Sequence, residues 1–263
     1  MNGIANDPVT LAAILDDARL TATPVEQPSA RQPIGLDAAY AVQHALLAHR
    51  IDRGDRIAGL KLGFTSQAKA RQMGVHDVIL GTVTDGMRID DGGRLELRSC
   101  IHPRIEPEVA YLLGADVDAE SSPDPSAVVG IAPALEVIDS RYRDFRFDLG
   151  DVVADNTSAA AFAIGPWVRP ADAGRVENRA VHLEIDGRLA QTGSTAAILG
   201  DPGRALVAAS RLARTYGFAL RAGMVLLAGA ATVAVPVPQR GVVEASITGL
   251  GRVSVRIDAG EAR

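Results

Sequence analysis

The chain has 263 residues, 47% of them hydrophobic and only 4% aromatic, with a formal net charge of −5. That suffices for one large domain, or one domain and an appendage, with a core of Ala, Val, Leu and Ile. No basic patch or polybasic run points to nucleic acid or a membrane surface, and Cys100, the single cysteine, excludes an internal disulfide framework and a cysteine-based zinc site. The start of the chain lacks a basic stretch followed by an apolar core, and no apolar run is long enough to span a bilayer, so a soluble cytoplasmic protein is expected.

In chain order, residues 1–57 read as helical. Asp7 followed by Pro8 is a helix start, a capping carboxylate and a proline at the first helical position, and Leu11, Ile14 and Leu15 recur at helical spacing. Residues 23–33, rich in Pro, Ser and Gln, form a loop. A second helix is expected over residues 37–53, with Tyr40, Gln43, Leu47 and Ile51 on one face and with His44 and His49 as surface residues, not ligands. At residue 57 the period changes to that of a strand, which ends in a Gly turn and holds a lone lysine, Lys61. A lysine in an apolar strand is costly and its pKa falls on burial, so Lys61 is either a candidate acid or base or a side chain snorkelling from a strand end. A short helix is expected over residues 66–73, capped by Ser66 and closed by Gly74.

Two acidic strands follow. In Ile101-His102-Pro103-Arg104-Ile105-Glu106-Pro107-Glu108-Val109, the glutamates stand two apart in an apolar run, so on a strand they share a face. Two carboxylates brought together repel unless a cation lies between them, and a hard divalent ion with oxygen ligands suits the pair. The same pattern also fits an exposed edge strand with solvated glutamates, and Pro107 supports an edge or a bulge. A third carboxylate, Glu136, interrupts the apolar run Ala132-Pro133-Ala134-Leu135-Glu136-Val137-Ile138. Such a run is a buried strand, where a lone glutamate must be paired or coordinated. Glu106, Glu108 and Glu136 together favour an oxygen-ligand site for Mg²⁺ or Mn²⁺ over buried ion pairs to Arg104 and Arg141.

Residues 116–126 are polar and form a loop; residues 139–147 mix charge with aromatics and border a cavity. Residues 151–158 place small polar groups before an Ala-rich strand, where they cap a turn or bind a carboxylate. Residues 182–189 alternate about Asp186-Gly187 as a hairpin. Gly200-Asp201-Pro202 opens a helix to Tyr216, ended by Gly217, and short strands are expected at 224–227, 232–237, 242–247 and 252–257. There is no Walker loop and no G-x-G-x-x-G. Many strands without regular βαβ alternation argue an α+β fold.

The motifs resemble those of the fumarylacetoacetate hydrolase superfamily, in its hydratase/decarboxylase branch. They are Lys61-Leu62-Gly63-Phe64-Thr65-Ser66, Gln72-Met73-Gly74-Val75, the segment from His102 to Glu108, that from Pro133 to Arg141, Val153-Ala154-Asp155-Asn156-Thr157-Ser158, and Gly249-Leu250-Gly251-Arg252-Val253-Ser254. They run in family order from about residue 36 to the C-terminus. The resemblance implies a mixed β-roll core in a catalytic part, residues 58–263, behind an N-terminal helical part, residues 1–57. It makes Glu106, Glu108 and Glu136 the ligands of Mg²⁺ or Mn²⁺, Lys61 the active-site lysine, and Asn156, Ser158 and Thr232 substrate contacts.

Two reactions share this scaffold: hydration of 2-hydroxypenta-2,4-dienoate (vinylpyruvate), and decarboxylation of 2-oxohex-3-enedioate (4-oxalocrotonate) to that dienol. Hydratases of this branch usually carry an acidic residue two positions before the glycine that matches Gly81, and Ile79 stands there in this chain. An isoleucine cannot activate water, so the expected activity is decarboxylation in aromatic meta-cleavage catabolism, with vinylpyruvate hydration or acylpyruvate hydrolysis as the alternatives. The resemblance also implies a 2-oxo dicarboxylic acid as substrate, a homo-oligomer, and a complex with a vinylpyruvate hydratase.

Overall fold

The structure, a computed structural model, describes residues 7–30, 32–66, 77–117 and 123–260. The helix expected over 66–73, apart from Ser66, and the motif Gln72–Val75 lie outside the described residues. Two helices open the fold, α1 (Pro8–Thr21) and α2 (Leu36–Asp52). Asp7 caps α1 by accepting from the Thr10 N–H at 2.9 Å, and Ala22 ends it in the left-handed region at φ 49.

The strands form two mixed sheets. The first runs β2 (Ile79–Thr84), β1 (Ile57–Gly63), β10 (Val225–Ala230), β5 (Arg104–Leu113), β6 (Val128–Ile138), β7 (Ala159–Ile164) and β3 (Arg88–Ile89), with β11 (Val235–Pro236) pairing β5. The second runs β4 (Arg94–Glu96), β13 (Gly251–Asp258), β12 (Gly241–Ile247), β8 (Ala180–Ile185) and β9 (Arg188–Ser194). β1 with β10, β3 with β7 and β4 with β13 are parallel; the other pairs are antiparallel. The remaining helices are α3 (Leu149–Ala154), the single turn α4 (Pro170–Ala173) and α5 (Arg204–Tyr216), which Gly217 closes at φ 77.

Ile105, Leu135 and Val137 of the first sheet meet Leu183, Val243, Ala245, Val253 and Val255 of the second in one apolar cluster. The strand period then turns Glu106, Glu108 and Glu136 to the opposite face. A larger cluster joins Leu11 and Leu15 of α1, Tyr40 and Leu46 of α2, and Val152 and Val153 of α3 to Leu60, Leu62 and Leu80 of the sheet. The N-terminal helices therefore share a core with the strands. Gln43 ties them by hydrogen bonds as well: its amide donates to the carbonyls of Leu80 (3.0 Å) and Val153 (2.9 Å), while the Tyr40 hydroxyl accepts from the Leu80 N–H at 3.0 Å.

Of the edge or bulge that Pro107 suggested, the structure has the bulge. β5 lies inside the sheet, and its ladder to β10 shifts register between Leu227 and Ala230, the latter paired with Glu108 next to Pro107. The expected loop over residues 23–33 is not free of the sheet-side structure, because Val25 bridges Tyr142.

Candidate active site and metal centre

Glu106 and Glu136 are direct cross-strand partners on β5 and β6, and Glu108 is the next residue on the same face of β5. Their carboxylates each place an oxygen within 4.8 Å of the others, and all three side chains are buried, Glu108 fully. Lys61, on β1 and 3% exposed, brings its Nζ to 2.8 Å from Glu136 Oε1 and donates to the Thr157 carbonyl at 3.2 Å. The side chain expected to snorkel or to act is thus an internal cation. Neither Arg104 nor Arg141 pairs with the glutamates: Arg141 lies 2.9 Å from Asp155, and the Arg104 guanidinium sits 5.1 Å from the Phe145 ring centroid.

Burial pushes the Glu108 carboxyl well above the usual carboxylate range, and Glu136 and Glu106 beside it push it further. Burial also raises Glu136, although Lys61 opposes it. For Lys61, burial alone would lower the pKa, but the charges of Glu136, Glu108 and Glu106 outweigh it and the ammonium is held. Glu108 Oε2 accepts from the Gly229 N–H at 2.8 Å, whereas Glu108 Oε1 and Glu136 Oε2 are buried without a hydrogen-bond partner among the described residues. Buried, unsatisfied oxygens of this charge and hardness fit a divalent cation such as Mg²⁺ or Mn²⁺.

A cavity of about 210 Å³ opens beside this cluster, and Lys61, Glu106, Ile79, Ser158, Phe145 and Phe147 are among its walls. Ile79 is 4% exposed, and with Leu62, Val152 and the two phenylalanines it makes the wall apolar. Glu106 is the one carboxylate lining the cavity among the described residues.

The substrate-contact candidates separate. Ser158 lines the cavity, but Asn156 and Thr232 are not on its wall. The Asn156 amide is spent on β2, donating to the Thr82 carbonyl and accepting from the Thr82 N–H, both at 2.8 Å. Thr232 Oγ1 donates to the Val233 carbonyl at 3.1 Å. Two further residues stand at the cluster: Gly229, which the sequence did not single out, and Thr157, which it marked only as part of the polar stretch 151–158. Gly229, at φ 110, stands on the bulge that orients Glu108, and a Cβ there would lie 2.1 Å from Thr65 Oγ1. A glycine inside an apolar strand was the available signal. For Thr157 the signal was its place between two polar residues already singled out.

Residues 77–258 match the family profile described as fumarylacetoacetate (FAA) hydrolase C-terminal. The chain belongs to the fumarylacetoacetate hydrolase family. Within that family it is 45% identical over 246 residues to a 4-oxalocrotonate decarboxylase of a Pseudomonas species, covering 93% of this chain and 95% of that protein. It is 32% identical over 231 residues to a 2-keto-4-pentenoate hydratase of Paraburkholderia xenovorans strain LB400, covering 87% and 86%. Its structure matches that of 4-oxalocrotonate decarboxylase from Pseudomonas putida G7, complexed with magnesium and adipate, with a TM-score of 0.89 at 32% identity, covering 95% and 97% of the two chains. The curled mixed sheet with flanking helices is the fold of the fumarylacetoacetate hydrolase family.

Proposed function

We propose that this protein is a carboxy-lyase that converts 2-oxohex-3-enedioate to 2-hydroxypenta-2,4-dienoate and CO₂, with Mg²⁺ or Mn²⁺ held by Glu106, Glu108 and Glu136. The apolar wall at Ile79, set across a small cavity from a buried carboxylate cluster, carries this reading. When bound, the cation supplies a Lewis acid for the 2-oxo group of the substrate, where negative charge develops as CO₂ departs. The bond that breaks is C5–C6. Its electron pair becomes the C4=C5 double bond, the C3=C4 pair moves to C2=C3, and the 2-oxo oxygen takes up the charge and a proton. The substrate is its own electron sink, so no organic cofactor enters.

The chain's own residues do the rest. Lys61, kept as an ammonium by Glu136 and aimed by the Thr157 carbonyl, is a proton donor at the cavity wall. Ile79, Phe145 and Phe147 keep water from the developing enolate and solvate the departing carboxylate poorly. Ser158 is the polar group placed to orient the substrate, while Asn156 acts through Thr82 and the turn that follows it. A homo-oligomer, and an association with the hydratase that consumes the dienol, belong to the same proposal on family resemblance.

Hydration of vinylpyruvate is the competing reading, since 2-keto-4-pentenoate hydratases are among the relatives. A hydratase needs a base within reach of water, and Ile79 cannot be one. Product analysis on both substrates with Mg²⁺ or Mn²⁺ tests this. CO₂ release from 4-oxalocrotonate with little hydration of vinylpyruvate is expected, and Ile79→Asp should depress the decarboxylation. Efficient formation of 4-hydroxy-2-oxopentanoate without CO₂ release would reverse the assignment.

A further inference from the structure

Apart from the active cavity, the described residues enclose a hollow of about 510 Å³ whose wall carries five arginines against two carboxylates, Glu96 and Asp139. The acidic groups around it are already committed. Asp16 serves two guanidiniums, Arg53 at 2.6 and 2.7 Å and Arg19 at 3.3 Å. Asp139 accepts the N–H groups of Ile101 and His102, both at 2.8 Å, and Glu96 is paired with Arg98. Asp155 holds Arg141.

Arg50 is paired less closely. Its nearest carboxylate, Asp55, lies 3.8 Å from Nε and instead accepts from the Thr84 hydroxyl at 2.7 Å and the N–H groups of Arg56 and Gly86 at 2.9 Å. The Arg50 side chain is only 11% exposed, and its Nε is buried without a hydrogen-bond partner among the described residues. Arg19 Nε is in the same position. Burial, then the positive charge of Arg19, lowers the Arg50 pKa to about 10. A buried guanidinium N–H without an acceptor is costly, and the planar fork of donors that carries it is shaped for an oxyanion.

We propose that this arginine-lined cavity is a binding site for a small oxyanion, a phosphate or a carboxylate, seated on Arg50 and Arg19. The site is separate from the metal centre: neither arginine touches the glutamate cluster or lines the active cavity.

The test is calorimetric titration of the metal-free full chain with inorganic phosphate and, separately, with acetate, at constant ionic strength in chloride. Saturable binding of one or both ions is expected, and the better ligand distinguishes a phosphate site from a carboxylate site. Arg50→Met should weaken that binding about tenfold or more, the loss of one charged hydrogen-bonding group. Glu106→Gln should leave it unchanged. Failure of both ions to saturate, unchanged affinity in Arg50→Met, or loss of binding in Glu106→Gln would overturn the site. Should Arg50→Met not fold, phenylglyoxal modification of the wild-type chain gives a second readout. The bound ion should protect Arg50 but not the exposed Arg169, and equal modification of Arg50 with and without the ion would also overturn the proposal.

Discussion

At the scale of single residues, Lys61 carries two consequences that pull in opposite directions. It is the only cation within contact of Glu136 among the described residues, so it stabilises the metal-free cluster, and it faces the cavity, so it is placed for chemistry. Lys61→Met removes both. Breaking a buried ion pair from one side costs about 3–5 kcal/mol. The metal-free variant is therefore expected to melt well below the wild type, and saturating Mg²⁺ to recover much of the difference, because the ion then meets a site one charge more negative. Turnover should fall by about two orders of magnitude or more, the usual contribution of a positioned proton donor, while Mg²⁺ affinity holds or rises. Melting curves with and without Mg²⁺, calorimetry and product formation check the three effects, and near-normal turnover would remove Lys61 from the chemistry.

At the scale of an element, the turn Asn156–Ser158 explains why a short polar stretch beside β7 matters. Three consecutive residues other than glycine are left-handed there, at φ 48, 52 and 58, a conformation that costs about 1–2 kcal/mol per residue. It persists because its surroundings over-determine it. Asn156 clamps Thr82 from both sides, and the Ser158 carbonyl accepts the Asp139 N–H at 2.8 Å. Gly81 leaves the space: a Cβ there would lie 2.2 Å from Thr157 Oγ1. What the turn delivers is the Thr157 carbonyl that aims Lys61. Asn156→Ala is expected to cost about 1–3 kcal/mol of stability, the penalty for unsatisfied buried groups, and to lower kcat with little change in KM. A raised KM at unchanged stability would instead mark Asn156 as a direct substrate contact.

At the scale of the whole molecule, the N-terminal helices are structural partners of the site. Gln43 of α2 bonds the carbonyl of Leu80, whose chain neighbours are the cavity residue Ile79 and the clearance residue Gly81. Leu15, Tyr40 and Leu46 are nearly fully buried in the cluster that also holds Leu60, Leu62 and Leu80. A chain beginning at residue 58 would expose that apolar face, at about 1.5–3 kcal/mol for each large side chain left in water. It is expected to lose cooperative melting and to be cut rapidly by protease under conditions where the full chain resists. A 58–263 chain with an intact, cooperative transition would make the helices an accessory part. No helix among the described residues is long and apolar enough to cross a membrane.

The sequence by itself determined the elements and the donor types. Strand alternation placed Glu106 and Glu108 on one face, an apolar run marked Glu136 as buried, Asp7-Pro8 and Gly217 marked helix ends, and Lys61 stood out as a charge inside an apolar strand. These signals are local, because they depend on residues a few positions apart. Only the tertiary structure decided the partners. The pairing of β5 with β6 set Glu106 opposite Glu136, the pairing of β1 with β10 carried Lys61 to them, and a bulge in β10 brought Gly229 to Glu108. The same long-range geometry assigned Arg141 to Asp155, turned Asn156 away from the cavity towards Thr82, and left the Arg50 Nε without a hydrogen-bond acceptor. Each of these depends on strand order, register or helix docking across many tens of residues, which no short window of sequence encodes.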